Sequence, residues 1–438
     1  MSRNGAGVMI LPTGSPVTTG TTIKSTQYNA ATQDLCNELT NSIARDGQAA
    51  PTANLPMGGF KHTGCADASS LTDYATFNQV QNHPNWTFRN KIINGNFEVA
   101  QRGSSITLSG TNGASGYTLD QYWAQIYGGT TGSGTAAINV SQQSFTLGQT
   151  AVPSEPKYFS RIQATTLPTQ GGTTSIIDSR RFIESVRTHA GKNVNLSFYA
   201  KGDTVRTYAV IVTQWFGTGG SPSSPVVAYQ STFTVTSSFQ KFNFNFAMPS
   251  ISGKTLGSNN DDSVQITYVL YKQDNTAFSD TLGAIGTWST TPYFDLSQDQ
   301  LEESLGGLGT PFEQRPISIE QHLCDRYLAA FGGSTGNATL AHIIWYSNTL
   351  AILNIAIPTN FRKPSAATLS YSSLSDFGLT FGTENLGAPT RFTLSDVGNK
   401  FMRYITESSI TAGQSIGSAG DLILNGDATK KLYLSCEL

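Results

Sequence analysis

The chain has 438 residues, a formal net charge of −2 and 13% charged residues, about half the usual charged share. Gly (43 residues), Ser, Thr, Asn and Gln fill the gap, which favours strands, turns and neutral hydrogen-bonding surfaces over long charged helices. Lys and Arg are scattered, so the basic footprint needed for nucleic acid or anionic lipid is missing, and no run of about 20 apolar residues offers a membrane span.

The length suits roughly two to four domains. The N-terminal patch before Pro12 is too short for a secretory signal, so accumulation in the cytoplasm of the producing cell is expected. In chain order, residues 1–24 read as irregular. A helix is predicted from Gln27 to about Arg45, with Ala31, Leu35, Leu39 and Ile43 in one apolar stripe. So short a helix is marginal alone, and its simplest partner is another copy of itself. Residues 45–70 read as an extended neck punctuated by Pro51, Pro56, Gly58, Gly59 and Gly64. A short helix is expected over Thr72–Gln81, with Tyr74, Phe77 and Val80 on one side and His83-Pro84 ending it.

From Lys91 to about Thr310 the pattern is antiparallel β. Val194, Leu196, Phe198 and Ala200 alternate with polar neighbours, as do Phe242, Phe244 and Phe246, and Val264, Ile266, Tyr268 and Leu270. Breaks such as Gly217–Pro225 and Ser258–Ser263 separate the runs, which argues for a sandwich or jelly roll. After Pro316 a helix is expected, capped by Ser318 with Gln321 reaching back, and burying Ile319, Leu323, Tyr327 and Phe331. Strand and turn return after Gly332-Gly333, with Ile343–Ile357 the most apolar part. Cys36, Cys65, Cys324 and Cys436 lie far apart without a CxxC pair and read as reduced packing residues.

Four stretches resemble tail-fibre proteins of bacteriophages and prophages. The first runs from YNAATQDLCNELTNSIARD at 28–46 into ANLPMGGFKHTGCADASSLTDYATFNQV at 53–80. The second, IINGNFEVAQRG at 92–103 with YTLDQYWA at 117–124, looks like the opening of a carbohydrate-binding jelly roll. The others are RRFIESVRTHAGKNVNLSFYAKGD at 180–203 and YFDLSQDQLEESLGGLGTPFEQRPISIEQHLCDRYLAAF at 293–331, similar to that module's middle strands, last strand and exit helix. The resemblance covers about four fifths of the chain, least of all residues 332–438. It implies a mainly β homotrimeric fibre: a virion-attachment segment with a trimerising helix (1–50), a neck (51–90), a jelly roll (91–316) and a helix plus β-rich tip (317–438). The implied partners are other virion proteins, through the N-terminus, and a bacterial surface glycan. A head fibre or decoration protein, or an adhesin outside any particle, has the same outline.

The resemblance also implies a structural Ca²⁺ tying the first strand to the last, at Asn94, Glu98 and Asp295; hard oxygen donors suit that ion. Glycan recognition needs aromatic faces beside amides. Trp215 and Phe216 before a Gly/Ser/Pro loop, Trp288 in a turn-rich stretch, and Trp345 with Tyr346 in the distal domain are the candidates, while Trp123 reads as core. A depolymerase needs paired carboxylates. Asp120, Glu184, Asp295, Glu302 and Glu303 are available, but no spacing singles out a pair, and Glu302-Glu303 reads as a solvated turn. The five histidines adjoin no GxSxG elbow or metal-ligand spacing. No catalytic residue is assigned, and binding without chemistry is expected.

Overall fold

The computed structural model describes residues 19–40, 59, 61–70, 73–76, 79–80, 87–171, 174–273, 280–287, 292–304, 309–332, 338–347, 350–356, 361–362, 367–381, 384–397, 401–407, 418–424 and 430–437. The chain divides into two compact units, Met1–Ala66 and Asp67–Leu438.

In the first unit, helix α1 spans Ser25–Thr40. Ala31 is half-buried, Leu35 is 37% and Leu39 65% exposed. Most of the expected stripe therefore faces outward in the single chain; Ile43 lies outside the described residues. Cys36 and Cys65 are exposed thiols rather than packing residues; Cys324 and Cys436 are buried as expected, and none of the four is in a disulfide.

At the start of the second unit, the helix expected over Thr72–Gln81 is not formed at residues 73–76, whereas Gln79 and Val80 are helical. Asp73 accepts hydrogen bonds from the Ser69 and Ser70 amides, and the Gln79 carboxamide accepts from the Ala68 and Thr76 amides. The Thr76 hydroxyl accepts from the Gln79 amide in return, a capping box that opens the helical turn at Gln79 and Val80. Tyr74 is left 87% exposed, and Phe77 and the His83-Pro84 stop lie outside the described residues.

A β-sandwich follows. Its strands are β1 (Ser105–Thr111), β2 (Gly113–Tyr117), β3 (Tyr122–Tyr127), β4 (Thr135–Ser144), β5 (Tyr158–Thr166) and β6 (Ile176–Glu184). They continue as β7 (Asn193–Gly202), β8 (Arg206–Trp215), β9 (Val226–Val235), β10 (Gln240–Ala247), β11 (Ser263–Lys272) and β12 (Tyr293–Glu303). Sheet I has the order β1-β4-β5-β12-β7-β10 and sheet II the order β2-β3-β6-β11-β8-β9, every pair antiparallel. The three alternating runs of the sequence are β7, β10 and β11. Their apolar phases meet between the sheets, where Phe198 of β7 meets Tyr268 of β11 edge-on at 5.2 Å and Tyr208 of β8 meets Phe294 of β12 at 5.4 Å. Such ring pairs add about 0.5–1.5 kcal/mol each beyond the area they bury.

Helix α2 (Ile317–Asp325) departs from the expected phase and cap. Its N-cap position is Pro316, with no side-chain cap, and Gln321 bonds Asp325 instead. The buried residues are Glu320 and Cys324, and Ile319 is 39% exposed. The helix is turned because the Glu320 carboxylate points inward, where it accepts from the Asn94 amide and from Arg315. It also stops earlier, so Phe331 lies in a strand.

The distal part is β-rich, as expected. Its strands are β13 (Leu328–Gly332), β14 (Ala338–Trp345), β15 (Leu350–Ala356), β16 (Thr368–Tyr371) and β17 (Phe377–Phe381), then β18 (Glu384–Gly387), β19 (Arg391–Val397), β20 (Phe401–Glu407), β21 (Ala419–Leu424) and β22 (Lys431–Ser435). They build a sheet β13-β22-β16 and a larger one, β18-β17-β21-β14-β15-β20-β19. Ile343, Trp345, Phe377, Leu379, Leu422 and Leu424 are among the residues of a second core. This tip is fastened to the sandwich by polar contacts: Gln101 donates to Leu328 O, Arg102 pairs with Glu437, and Arg326 and Tyr327 hold Glu184.

Candidate functional site

The strand phases decide which side chains leave the core. In β3, Tyr122, Ala124 and Ile126 point inward, so Trp123, Gln125 and Tyr127 line the outer face of sheet II. Trp123 is thus a surface residue of the sheet, a correction to its reading as core. The YTLDQYW segment does supply a core ring, but it is Tyr122, stacked on Phe97 at 4.5 Å. Gln121, with φ 67°, turns the chain just before the strand and sets that phase.

Antiparallel register then aligns rows across sheet II. Trp123 lies opposite Arg180 and Arg180 opposite Thr267; Phe182 lies opposite Gln265 and Gln265 opposite Thr213; Glu184 lies opposite Ser263 and Ser263 opposite Trp215. Two covers frame this face. At one end, Leu282 and Ile285 pack over Ala209, Ile211 and Val269, fastened by Gln230 to Thr281 and by the buried Lys272–Asp280 pair. At the other, Arg362 donates to Asn260 O and sits 3.7 Å from Glu184. Between them Trp123, Gln125, Phe182, Thr213 and Gln265 remain half-buried.

Electrostatically the face is self-compensated. The Arg180 guanidinium lies 4.6 Å from the Trp123 ring centroid, donates to Asp178 at 2.8 Å, and donates to Gln125 at 3.1 Å. Asp178 is fully buried; desolvation pushes its carboxyl above the ordinary range while Arg180 pulls it down. The pair adds no net charge. What the face offers is planar amides, hydroxyls and rings, the set that fits sugar hydroxyls and C–H faces.

The sequence candidates are dispersed. Trp215 is half-buried at the end of the Glu184–Ser263 row. Phe216 is 1% exposed, with Lys254 over its ring at 5.7 Å, so it offers no free face. Trp345 is 1% exposed in the tip core, whereas Tyr346 next to it is 64% exposed. Strand alternation sends such neighbours to opposite sides. Trp288 lies outside the described residues.

The proposed calcium ligands are not brought together as one set. Both ends of the Asn94 carboxamide serve backbone groups: Oδ1 accepts from Val99 N at 3.0 Å, and Nδ2 donates to Val99 O and Asp120 O. Asp295 is gripped by Arg161 through two 2.7 Å bonds and by Lys201 at 3.6 Å. Glu98 faces Glu320, and burial together with that neighbour raises its carboxyl. Among the described residues no group of three or more His, Cys, Asp or Glu is placed to hold a metal. An organic cation makes the tie between the entry loop, residues 90–104 ahead of β1, and the last strand of the sandwich, β12. Arg181, 2% exposed, donates to Asp299 on β12 at 3.2 Å and to the carbonyls of Ile93, Asn94 and Gln121 at 3.3–3.4 Å. Tyr268 donates to the same Asp299 at 2.6 Å. Burial lowers the guanidinium pKa to about 10, partly offset by Asp299.

The carboxylates considered for hydrolysis have structural partners too. Asp120 accepts from the Gln101 amide and side chain, and Glu184 from Arg326 and Tyr327. Glu302 is fully buried and accepts from Thr310, so it is no solvated turn; Glu303 lies 3.3 Å from Lys192.

No family model matches the chain, and no curated protein matches it at a significant level. Solved structures with partial likeness include a family 11 carbohydrate-binding module from Clostridium thermocellum in complex with a β-1,3-1,4-mixed-linked tetrasaccharide. It is 9% identical, aligned over 48% of this chain and 94% of that one, with a TM-score of 0.25. The enzymatically active domain of tailspike protein 4 of bacteriophage CBA120 is 10% identical over 49% of this chain and 22% of that one, with a TM-score of 0.26. A Stig cyclase from a Fischerella species aligns over 49% and 96% at 12% identity, TM-score 0.26. Function is read from the side chains of the sheet face.

Proposed function

We propose that the chain is a phage fibre protein that binds host-surface glycan with neutral units along the outer face of sheet II. The observation that carries the binding reading is the set of half-buried Trp123, Arg180, Phe182, Gln265 and Thr213 on adjacent rows of sheet II, an amide and aromatic strip in which Asp178 matches the Arg180 charge, framed by covers at both ends. The fibre role, made in the host cytoplasm and carried on the virion, is supported by the resemblance of residues 28–80 to virion-proximal fibre segments and by the outward Leu35 and Leu39 on α1, which suit a three-subunit contact. Three copies would let weak sugar contacts sum to useful avidity. Catalysis is left out because each carboxylate considered for it is committed to a structural partner.

Titration of the purified protein with neutral oligosaccharides released from host polysaccharide, by calorimetry, tests the reading. Trp215→Ala and Gln265→Ala, each with an unchanged melting temperature, are expected to weaken binding about tenfold, a loss of about 1.4 kcal/mol. Binding that survives both substitutions unchanged removes sheet II as the site.

A further inference from the structure

A second cleft lies where β6 meets α2 and the entry segment. It encloses about 270 Å³, smaller than the roughly 300–1,000 Å³ of drug-sized sites and so suited to a single ring. Its walls include the rings of Phe88, Phe182 and Tyr327, and Lys91, Arg315, Arg326 and Glu184 supply its charges. Two of the cations are committed. Arg326 pairs with Glu184 at 2.8 Å, and Arg315 bonds both oxygens of Glu320 at 3.1 Å. Lys91 is different: its ammonium donates to the Phe88 carbonyl at 2.8 Å and, among the described residues, forms no ion pair. An ammonium has three donors, which leaves this cleft one cation in surplus.

Phe88 supplies an independent sign. It is a bulky residue at φ 57°, the left-handed region, and its ring is 51% exposed. Such strain persists only where surrounding contacts hold it. The holders are Lys91 on its carbonyl and the Arg315 guanidinium 5.9 Å from its ring. A strained backbone here presents an aromatic face at a cleft with a spare positive charge.

We infer that this cleft binds one carboxylate-bearing sugar unit, a hexuronate, with its C–H face on Phe88 and its carboxylate on Lys91. This cleft adjoins the strip of sheet II and shares Phe182 with it, but Phe88 and Lys91 belong to no row of that strip, so the inference does not rest on it; a host polysaccharide carrying both neutral and acidic units would engage both.

The full-length protein is titrated with tri-galacturonate and with neutral maltotriose, at low and at physiological salt. Tri-galacturonate binding is expected to weaken with salt, and about tenfold in Lys91→Gln and in Phe88→Ala, while Trp215→Ala leaves it intact. Lys91→Arg, which keeps the charge, restores most of it and guards against a folding artefact. The inference is overturned if tri-galacturonate shows no saturable binding, if Lys91→Gln and Phe88→Ala both bind it as well as the parent, or if its binding is lost with Trp215→Ala. Failure of the sheet II reading shows instead as neutral oligosaccharide binding that ignores Trp215 and Gln265.

Discussion

The two outer faces of the sandwich are built by the same alternation and differ in how their charged groups are placed. On sheet I, a charged cluster on the outward side of β5, β7 and β12 is locked together beside the uncharged Gln163 and Tyr199: Arg161 holds Asp295, Lys201 approaches the same carboxylate, and the Arg161 guanidinium lies 4.1 Å from the Tyr293 ring centroid. The far end of β12 is roofed by the chain that follows it, through Thr310 on Glu302 and the Glu313 amide on Gln300. On sheet II the Arg180–Asp178 pair lies between the covers, flat against Trp123, and the neighbouring positions are amides, hydroxyls and rings. A sheet face becomes a recognition surface when its polar groups are left with capacity after the protein's own pairing; where they satisfy each other, the face is architecture.

That contrast yields an ordered set of tests. The largest effect is expected at the core shared by both faces. Asp299→Ala strands the buried Arg181 guanidinium and the Tyr268 hydroxyl, at a cost of about 3–5 kcal/mol, measurable as a lower denaturant midpoint. Retention of parental stability would show that the entry loop and β12 are not held by this pair.

Next is a pH effect in the link from sheet II to sheet I. His189, between β6 and β7, is 9% exposed, with φ 62°, and burial followed by the nearby Lys91 lowers its pKa from 6.5 to about 4. The unfolded chain binds this proton first as pH falls, so the stability gained from the neutral imidazole is complete above pH 6.5 and is lost towards pH 4. The full swing is bounded at about 3 kcal/mol. His189→Asn, which tolerates the left-handed backbone, should flatten this part of the stability–pH curve; an unchanged curve would assign the acid response elsewhere.

The smallest effects sharpen the comparison directly. Asp295→Ala on sheet I is expected to cost about 1–3 kcal/mol, because it leaves Arg161 and Lys201 facing each other without their anion. Gln265→Ala on sheet II should shift stability by less than about 0.5 kcal/mol while weakening glycan binding. Equal stability losses at the two positions would erase the distinction between the faces.

Strand periodicity was legible because it is local: the phases of β7, β10 and β11 follow from alternate apolar residues, and the distal strands after Gly332 follow the same logic. Helix α1 was legible from its stripe, though not what covers that stripe. Trp123 had a usable signal in YWAQIY: Ala124 and Ile126 share the phase of Tyr122 while Gln125 shares that of Trp123, so alternation alone points Tyr122 inward. What the sequence leaves open is the row, since only pairing with β6 and β11 puts Trp123 beside Arg180 and carries the row on to Thr267. The turned α2 shows the same limit. Its apolar residues argued for Ile319 inward, and a long-range bond from Asn94 to Glu320 turned the helix. Local chemistry thus determined that this chain is strand-rich, low in charge and equipped with sugar-compatible side chains. Tertiary structure decided which polar groups consume one another, as Asp295 and Arg161 do, and which are left facing outward, because that outcome depends on partners more than a hundred residues apart in the chain.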